Sequence, residues 1–465
     1  MGVESAEMIK EPDPRLADQI SKYVARMDLS KMAPSVIEAT KDLCISSVGS
    51  TVLGARMEVT RALAAYAQDA GGAAQVMPVG QDFATNVEVA AMLNCVASHC
   101  TEFEDVAWPE AQYTCFLIPA MLALGEAVDS TGAQVLEAIV IGFEVAARPG
   151  MICSNHGAAA RGFLSCANLG TIGVAAGAAK LMGLGEKGIR DAVTMAASMG
   201  GGLVRQTGSS AHVVEAGFAA RDGIVAAQLA RNGLGGNPDI FGGKAGYFDA
   251  LAGQPEISFD LGEGDQLRIL SVGQKKYPCC YLLQRIIDEL KNIMERNSLV
   301  GADIAAVTVD VNGAFPAIVK YDEPSDVEEA RFSLPHVLGA VLAGEPMDFL
   351  TFVAEKLEDC EILAQRRKVS CRVHNAWGYD QLGEKDLLTV TTVDGTRFRR
   401  ECVSAHGDPE DPLSREETIA KFMNCTSGIL EAETACSVAS DIAGLENLRS
   451  VRSLMAKLRL SGQPG

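Results

Sequence analysis

Residues 94–119 read NCVASHCTEFEDVAWPEAQYTCFLIP. Three carboxylates, Glu102, Glu104 and Asp105, close a long apolar helical run. Glu102 and Asp105 stand at i and i+3, a spacing that predicts both on one face of a helix. Acids at the mouth of a buried helix cost desolvation free energy unless they are partnered. The stretch therefore reads either as a solvated helix terminus or as the wall of a site. A loop with Trp108, Pro109 and Tyr113 follows, and an apolar segment from Phe116 to Leu124 starts the next element.

Working outward, the chain has 465 residues, more than one hydrophobic core usually holds, so two domains are expected. Apolar runs break well before the ~20 residues a bilayer span needs. The polar start, MGVESAEMIKEPDPRL, lacks an apolar signal core. The expectation is a cytoplasmic chain that does not enter membranes. Sixty acids against 40 bases give a net charge of −20. That sign disfavours nucleic acid, and an anionic substrate would need a locally positive pocket. Thirteen cysteines without a C-x-x-C pair indicate reduced, intracellular usage. The six histidines show no metal-ligand spacing, so no metal and no cofactor are expected.

Helical periodicity predicts helices over 14–27, 33–54, 58–69 and 87–100, the last capped by Thr85 or Asn86. Residues 120–235 are helical and rich in Ala and Gly on several faces, as in helices buried all round. The glycines at 200–202 read either as a helix stop or as backbone N–H groups left free for an anion. No G-x-G-x-x-G turn follows a strand, which argues against a nucleotide fold. Near 270 the pattern changes. IAAVTVDVNG and KVSCRVHN read as strands, and LLTVTTVDGTRFRRECV as a hairpin with Asp394-Gly395 as a two-residue turn. Helices over 281–296, 333–343 and 347–354 interleave. The reading is a mainly α protein: a large all-helical domain, 1–269 plus 406–465, with an inserted smaller α+β lid domain, 270–405. Clefts between such domains are the default ligand site.

Six ordered blocks carry a resemblance: ASHCTEFED, GFLSCANLGTIGVAAGAAKLMGL, AASMGGGLVRQTGSSAHVVEAGFAARDG, KKYPCC, ARFSLPHVLGAVLAGE and HGDPEDPLSREETIAKF. Over nearly its whole length the chain resembles the MmgE/PrpD family, which includes 2-methylcitrate dehydratase, cis-aconitate decarboxylase and iminodisuccinate epimerase. The resemblance implies an all-helical large domain, an α+β lid, a homodimer and a site in the cleft. It also marks departures. The acidic motif survives as Glu102, Phe103, Glu104 and Asp105, and Lys275 is retained ahead of Tyr277. Gln112, Leu164 and Gln284 stand where the family has histidines. His212 stands for a family lysine, Glu215 for a family histidine, and His336 for a common tyrosine.

Dehydration or decarboxylation of a tricarboxylate calls for an acid or base of near-neutral pKa and several cations. Gln and Leu supply neither. The cleft is expected to be less cationic and more apolar than the family norm. The candidate catalytic residues are His212, Glu102, Asp105, Gln112 and Tyr277. The candidate substrate contacts are Arg161, Leu164, Arg205, Gln206, Lys275 and Gln284. Each has a blander reading as a cap, a surface charge or a packed side chain; Cys279 reads as buried and His156 as an exposed loop residue. The first expectation is a cofactor-independent enzyme that isomerises, epimerises or cyclises, pericyclic closure included, a carboxylated and largely apolar small molecule. The second is a conventional family lyase with relocated catalytic groups. The third is a non-catalytic pseudoenzyme.

Overall fold

The computed structural model describes residues 15–107, 112–379 and 382–459. Trp108 and Pro109 lie outside these residues. Nineteen α-helices and six short strands occur among them, a mainly α fold. The four N-terminal helices, Leu16–Arg26, Pro34–Gly54, Glu58–Ala70 and Val87–His99, fall where the periodicity places them. Asn86 caps the fourth, its side-chain oxygen accepting from the Val89 N–H at 3.1 Å.

The Ala/Gly-rich middle forms the centre of the first core. Helices Thr114–Val128, Gly132–Asn155, Ser165–Leu181 and Ser210–Arg231 are buried on most of their faces. The small residues have a direct reason. A Cβ on Gly173 would lie 2.5 Å from the Gly142 carbonyl oxygen, and one on Gly142 would lie 2.7 Å from that of Gly173. The two helices touch backbone to backbone, which no larger residue permits.

A second core is built from residues between Tyr277 and Cys402. Strands β3 (Ile304–Asn312), β4 (Val369–His374), β5 (Asp386–Thr392) and β6 (Arg397–Cys402) form one sheet in the order β4-β3-β5-β6. Only the β3–β4 pair is parallel. Helices Tyr281–Arg296 and Leu334–Leu342 pack against it. The chain then returns to the first core, where helix Arg415–Thr426 lies along Pro34–Gly54.

Two local expectations fail. The β5–β6 turn is not a two-residue loop. The Thr392 N–H donates to Thr396 O and the Gly395 N–H to Thr392 O, leaving Val393–Gly395 as a three-residue loop. Gly395, at φ 89°, takes the left-handed place such a loop requires. Residues 347–354 are not one helix either: a short 3-10 turn, Phe349–Thr351, is separated from a one-turn helix, Ala354–Leu357. Among the described residues no helix is long and apolar enough to cross a membrane.

A two-stranded ribbon packs against the first core. Strand β1 (Asp105–Ala107) pairs antiparallel with β2 (Val272–Gln274), setting Asp105 opposite Gln274. This register carries Lys275, the next residue, to the acidic segment.

Candidate active site

Helix Val87–His99 stops before the acids, so Glu102 and Asp105 do not share a helix face. The chain instead reverses at Glu102, whose φ of 50° is uncommon for a residue with a side chain. The four-residue segment 102–105 sends Glu102 and Glu104 to one shared cation and Asp105 to separate partners. Glu102 Oε2 accepts from Lys275 Nζ at 3.0 Å, and Glu104 Oε1 accepts from the same ammonium at 3.1 Å. Asp105 Oδ1 accepts from Ser46 Oγ at 2.9 Å and lies 3.7 Å from Lys421 Nζ. Lys421 donates to the Lys275 carbonyl at 2.9 Å.

All of these groups are buried, so their protonation follows their partners. Burial alone would discharge Lys275, but the facing Glu102 and Glu104 carboxylates outweigh it and hold the ammonium charged. Burial would likewise raise the Glu104 carboxyl; Lys275 and His99 overcome this and keep it well below the usual carboxylate range. Asp105 goes the other way. Burial raises it to about 6, against the pull of Lys421 and the Ser46 hydrogen bond. His99 Nδ1 lies 3.2 Å from Glu104 Oε1. Burial works against the imidazolium, yet Glu104 raises the His99 pKa above its ordinary value.

His212, in the first turn of helix Ser210–Arg231, faces this network. Its Nε2 lies 3.9 Å from Glu102 Oε1, its Nδ1 3.9 Å from Glu215 Oε2, and its ring 4.9 Å from that of His99. His99, Glu102 and His212 each offer a ligand atom within 4.8 Å of the others, the geometry of a possible cation site that no sequence spacing announced. Lys275 on Glu102 and Glu104 on His99 already engage two of the three.

A cavity of about 540 Å³ opens beside Glu102 and His212. Gln112 and Leu164 line it as well, so four of the candidates meet there. Lys275 stands behind Glu102, and Asp105 is buried beside Ser46. The other candidates go elsewhere. The Tyr277 hydroxyl donates to Asp288 at 2.7 Å. Gln284 braces its own loop: its Oε1 accepts from the Lys276 and Tyr277 N–H groups, and its Nε2 donates to the Tyr277 and Cys279 carbonyls. Arg161 is exposed and donates to the Ala250 carbonyl. Arg205 is exposed and forms no part of the cavity wall. Gln206 borders a second, shallower cavity with Glu215. His336 is buried in the second core, where burial lowers its pKa to about 4. His156 is exposed, although Ser154, Asn155 and Gly157 around it reach the cavity.

The remaining wall was not singled out in the sequence. Phe163, Phe332, Tyr281, Thr207 and Val204 reach the cavity from four separate segments. Only Phe163 carried a signal, as the aromatic beside Leu164. Of the charged residues, only Glu102 and Glu384 line the cavity, and no Lys or Arg does so among the described residues.

The model of the MmgE/PrpD N-terminal domain matches residues 18–260, and that of the C-terminal domain matches 277–441. The chain belongs to the MmgE/PrpD family. The second match runs past the sheet into helices that pack on the first core. Among curated relatives, the human (Homo sapiens) cis-aconitate decarboxylase is 25% identical over 97% of this chain and 95% of its own length. A cis-aconitate decarboxylase-like protein of Aspergillus oryzae is 22% identical over 96% of this chain and 97% of its own length. A cis-aconitate decarboxylase of Aspergillus terreus is 22% identical, covering 95% of this chain and 96% of its own. Membership in this MmgE/PrpD family, with these relatives, supports an enzyme of the lyase type.

Proposed function

We propose that this MmgE/PrpD member is a cofactor-independent enzyme, working as a homodimer, that isomerises, epimerises or cyclises a carboxylated, largely apolar small molecule in the cavity between its two cores. The observation that carries the reading is the cavity wall itself. It joins a His212–Glu102 acid–base pair to an apolar surface, with Glu102 and Glu384 as its only charged residues and no cation among the described residues. A citrate-like trianion placed there would lose its hydration without gaining a cationic partner.

Three roles follow. His212 moves the proton, since imidazole is the side chain whose ordinary pKa suits transfer near neutrality. Glu102 orients it and is itself positioned by the Lys275 ammonium, which donates to its Oε2 at 3.0 Å. The apolar wall and Gln112 fix the substrate's conformation, and orientation alone lowers barriers substantially, pericyclic closure included.

The conventional lyase reading has one observation in its favour: relatives matching over nearly the whole chain carry the name cis-aconitate decarboxylase. One assay separates the two. Purified protein is incubated with cis-aconitate, 2-methylcitrate and citrate, and the products are read by mass spectrometry. Turnover of any of them establishes the conventional lyase and removes the proposal. No turnover by folded protein, followed by turnover of an apolar monocarboxylate, supports it.

A further inference from the structure

We propose that the N-terminus of helix Ser165–Leu181 is the carboxylate subsite of this cavity, so that the substrate carries a single carboxylate on a bulky apolar body. This deepens the reading above and rests on it for the location of the reacting centre.

The helix has 17 residues and no side-chain cap. Its N-cap position is Leu164, which has no acceptor to offer where Ser, Thr, Asp or Asn is usual. The N–H groups of Ser165, Cys166 and Ala167 meet no carbonyl or carboxylate oxygen among the described residues. The thiol of Cys166, which burial keeps neutral, lies against the Cys166 and Ala167 N–H groups. The partial positive charge of the helix end is thus left uncompensated. It is also aimed at the ligand space, because Leu164, Ser165 and Cys166 all line the cavity. Glu215 is the nearby carboxylate. Its Oε1 accepts from the Leu203 N–H at 3.1 Å, and it borders the second cavity rather than this one.

A second observation is independent of the helix. His212 is 6% exposed, lines the same cavity, and its Nδ1 has no hydrogen-bond partner; the same holds for Oε1 of Glu102, 2% exposed. Buried polar atoms left open on a cavity wall point to a ligand that completes them. Among the described residues no Lys or Arg lines that wall, and two helix ends supply positive potential to it: this one and that of Tyr281–Arg296, which also has no side-chain cap and brings Cys280, Tyr281 and Leu282 to the cavity. Backbone N–H groups at a helix start bind carboxylates well, and substitutions at Leu164 and Ser165 act on the first of the two ends alone. Phe163, Phe332, Ile318 and Leu382 supply the apolar surface for the rest of the molecule. Further carboxylates on the ligand would face Glu102 and Glu384, which excludes polyanions.

The test is calorimetric binding of octanoate, octanamide and citrate to the full chain. Octanoate is expected to bind at least tenfold more tightly than octanamide, and citrate more weakly than octanoate. In Leu164→Asp the new side chain caps the helix and repels an anion. That variant should lose the octanoate preference while its unfolding temperature holds or rises. Ser165→Pro is the second variant. Proline is well tolerated at the first helical position, and the extended Leu164 backbone, φ −90° and ψ 101°, suits a following proline. It removes one N–H and should reduce the preference several-fold. Equal binding of octanoate and octanamide, no octanoate binding, or a preference that survives in either folded variant overturns the subsite. Turnover plays no part in this measurement. A carboxylate preference that persists without turnover therefore counts against the proposed reaction and not against the subsite.

Discussion

Lys275 and Glu102 meet at 3.0 Å although 173 positions separate them, and neither is more than 2% exposed. The pair exists because strand β2 ends one residue before Lys275 and is registered against β1 in the acidic segment. Glu104 shares the same ammonium. One buried cation therefore binds two carboxylates, and one of them, Glu102, faces the cavity.

Lys275→Met is expected to be the most damaging conservative-volume change in the site. It strands two buried carboxylates, and breaking a buried pair from one side costs about 3–5 kcal/mol. Urea unfolding measures it. Adding Glu104→Gln to the variant should recover part of the loss, because it removes one of the stranded charges.

His212→Ala should leave the fold intact and lower turnover of the true substrate by roughly 10²–10⁴-fold, the usual worth of a general acid or base. Gln112→Ala should act mainly on KM. Unchanged turnover in both variants would place the chemistry elsewhere in the cavity.

The pH dependence has two components of opposite sign. Asp105 holds its proton to about pH 6 in the folded chain against an ordinary value of 3.8, so its contribution to stability falls as pH rises through that window. The Ser46 hydrogen bond favours the ionised form. Ser46→Ala should cost about 1.5–3 kcal/mol at pH 8 and clearly less at pH 5, where Asp105 is protonated. Glu104 is depressed, so its contribution is full above its ordinary value of 4.5 and is lost on acidification. Glu104→Gln should flatten the acid limb of the stability profile. Denaturant titrations at several pH values read both effects.

Gln284→Ala tests a brace against a ligand contact. The side chain makes four hydrogen bonds to backbone groups of Lys276, Tyr277 and Cys279. Truncation should cost about 1–3 kcal/mol of stability for the buried groups left unpaired. A change in KM as large as that of Gln112→Ala, without loss of stability, would instead make Gln284 a substrate contact.

The sequence by itself determined the mainly α class, the N-terminal helices to within a residue or two, the strands of the smaller sheet and the MmgE/PrpD family. These rest on periodicity, caps and ordered motif blocks, all of which are local along the chain. It also singled out Glu102, Gln112, Leu164 and His212, which the cavity brings together. Only the tertiary structure decided where the charges pair. The i to i+3 spacing of Glu102 and Asp105 suggested a shared helix face, yet the helix ends at His99 and the two acids part. Gln284 and Tyr277 sat in a motif, yet Gln284 braces the loop 276–279 and the Tyr277 hydroxyl goes to Asp288 on the following helix. His99 showed no ligand spacing, yet its ring lies 4.9 Å from that of His212, on a helix more than a hundred residues later. The physical reason is common to all three. Periodicity fixes which face of an element is buried, whereas the partner of a buried charge is chosen by packing between elements distant in sequence, and no local pattern encodes that choice.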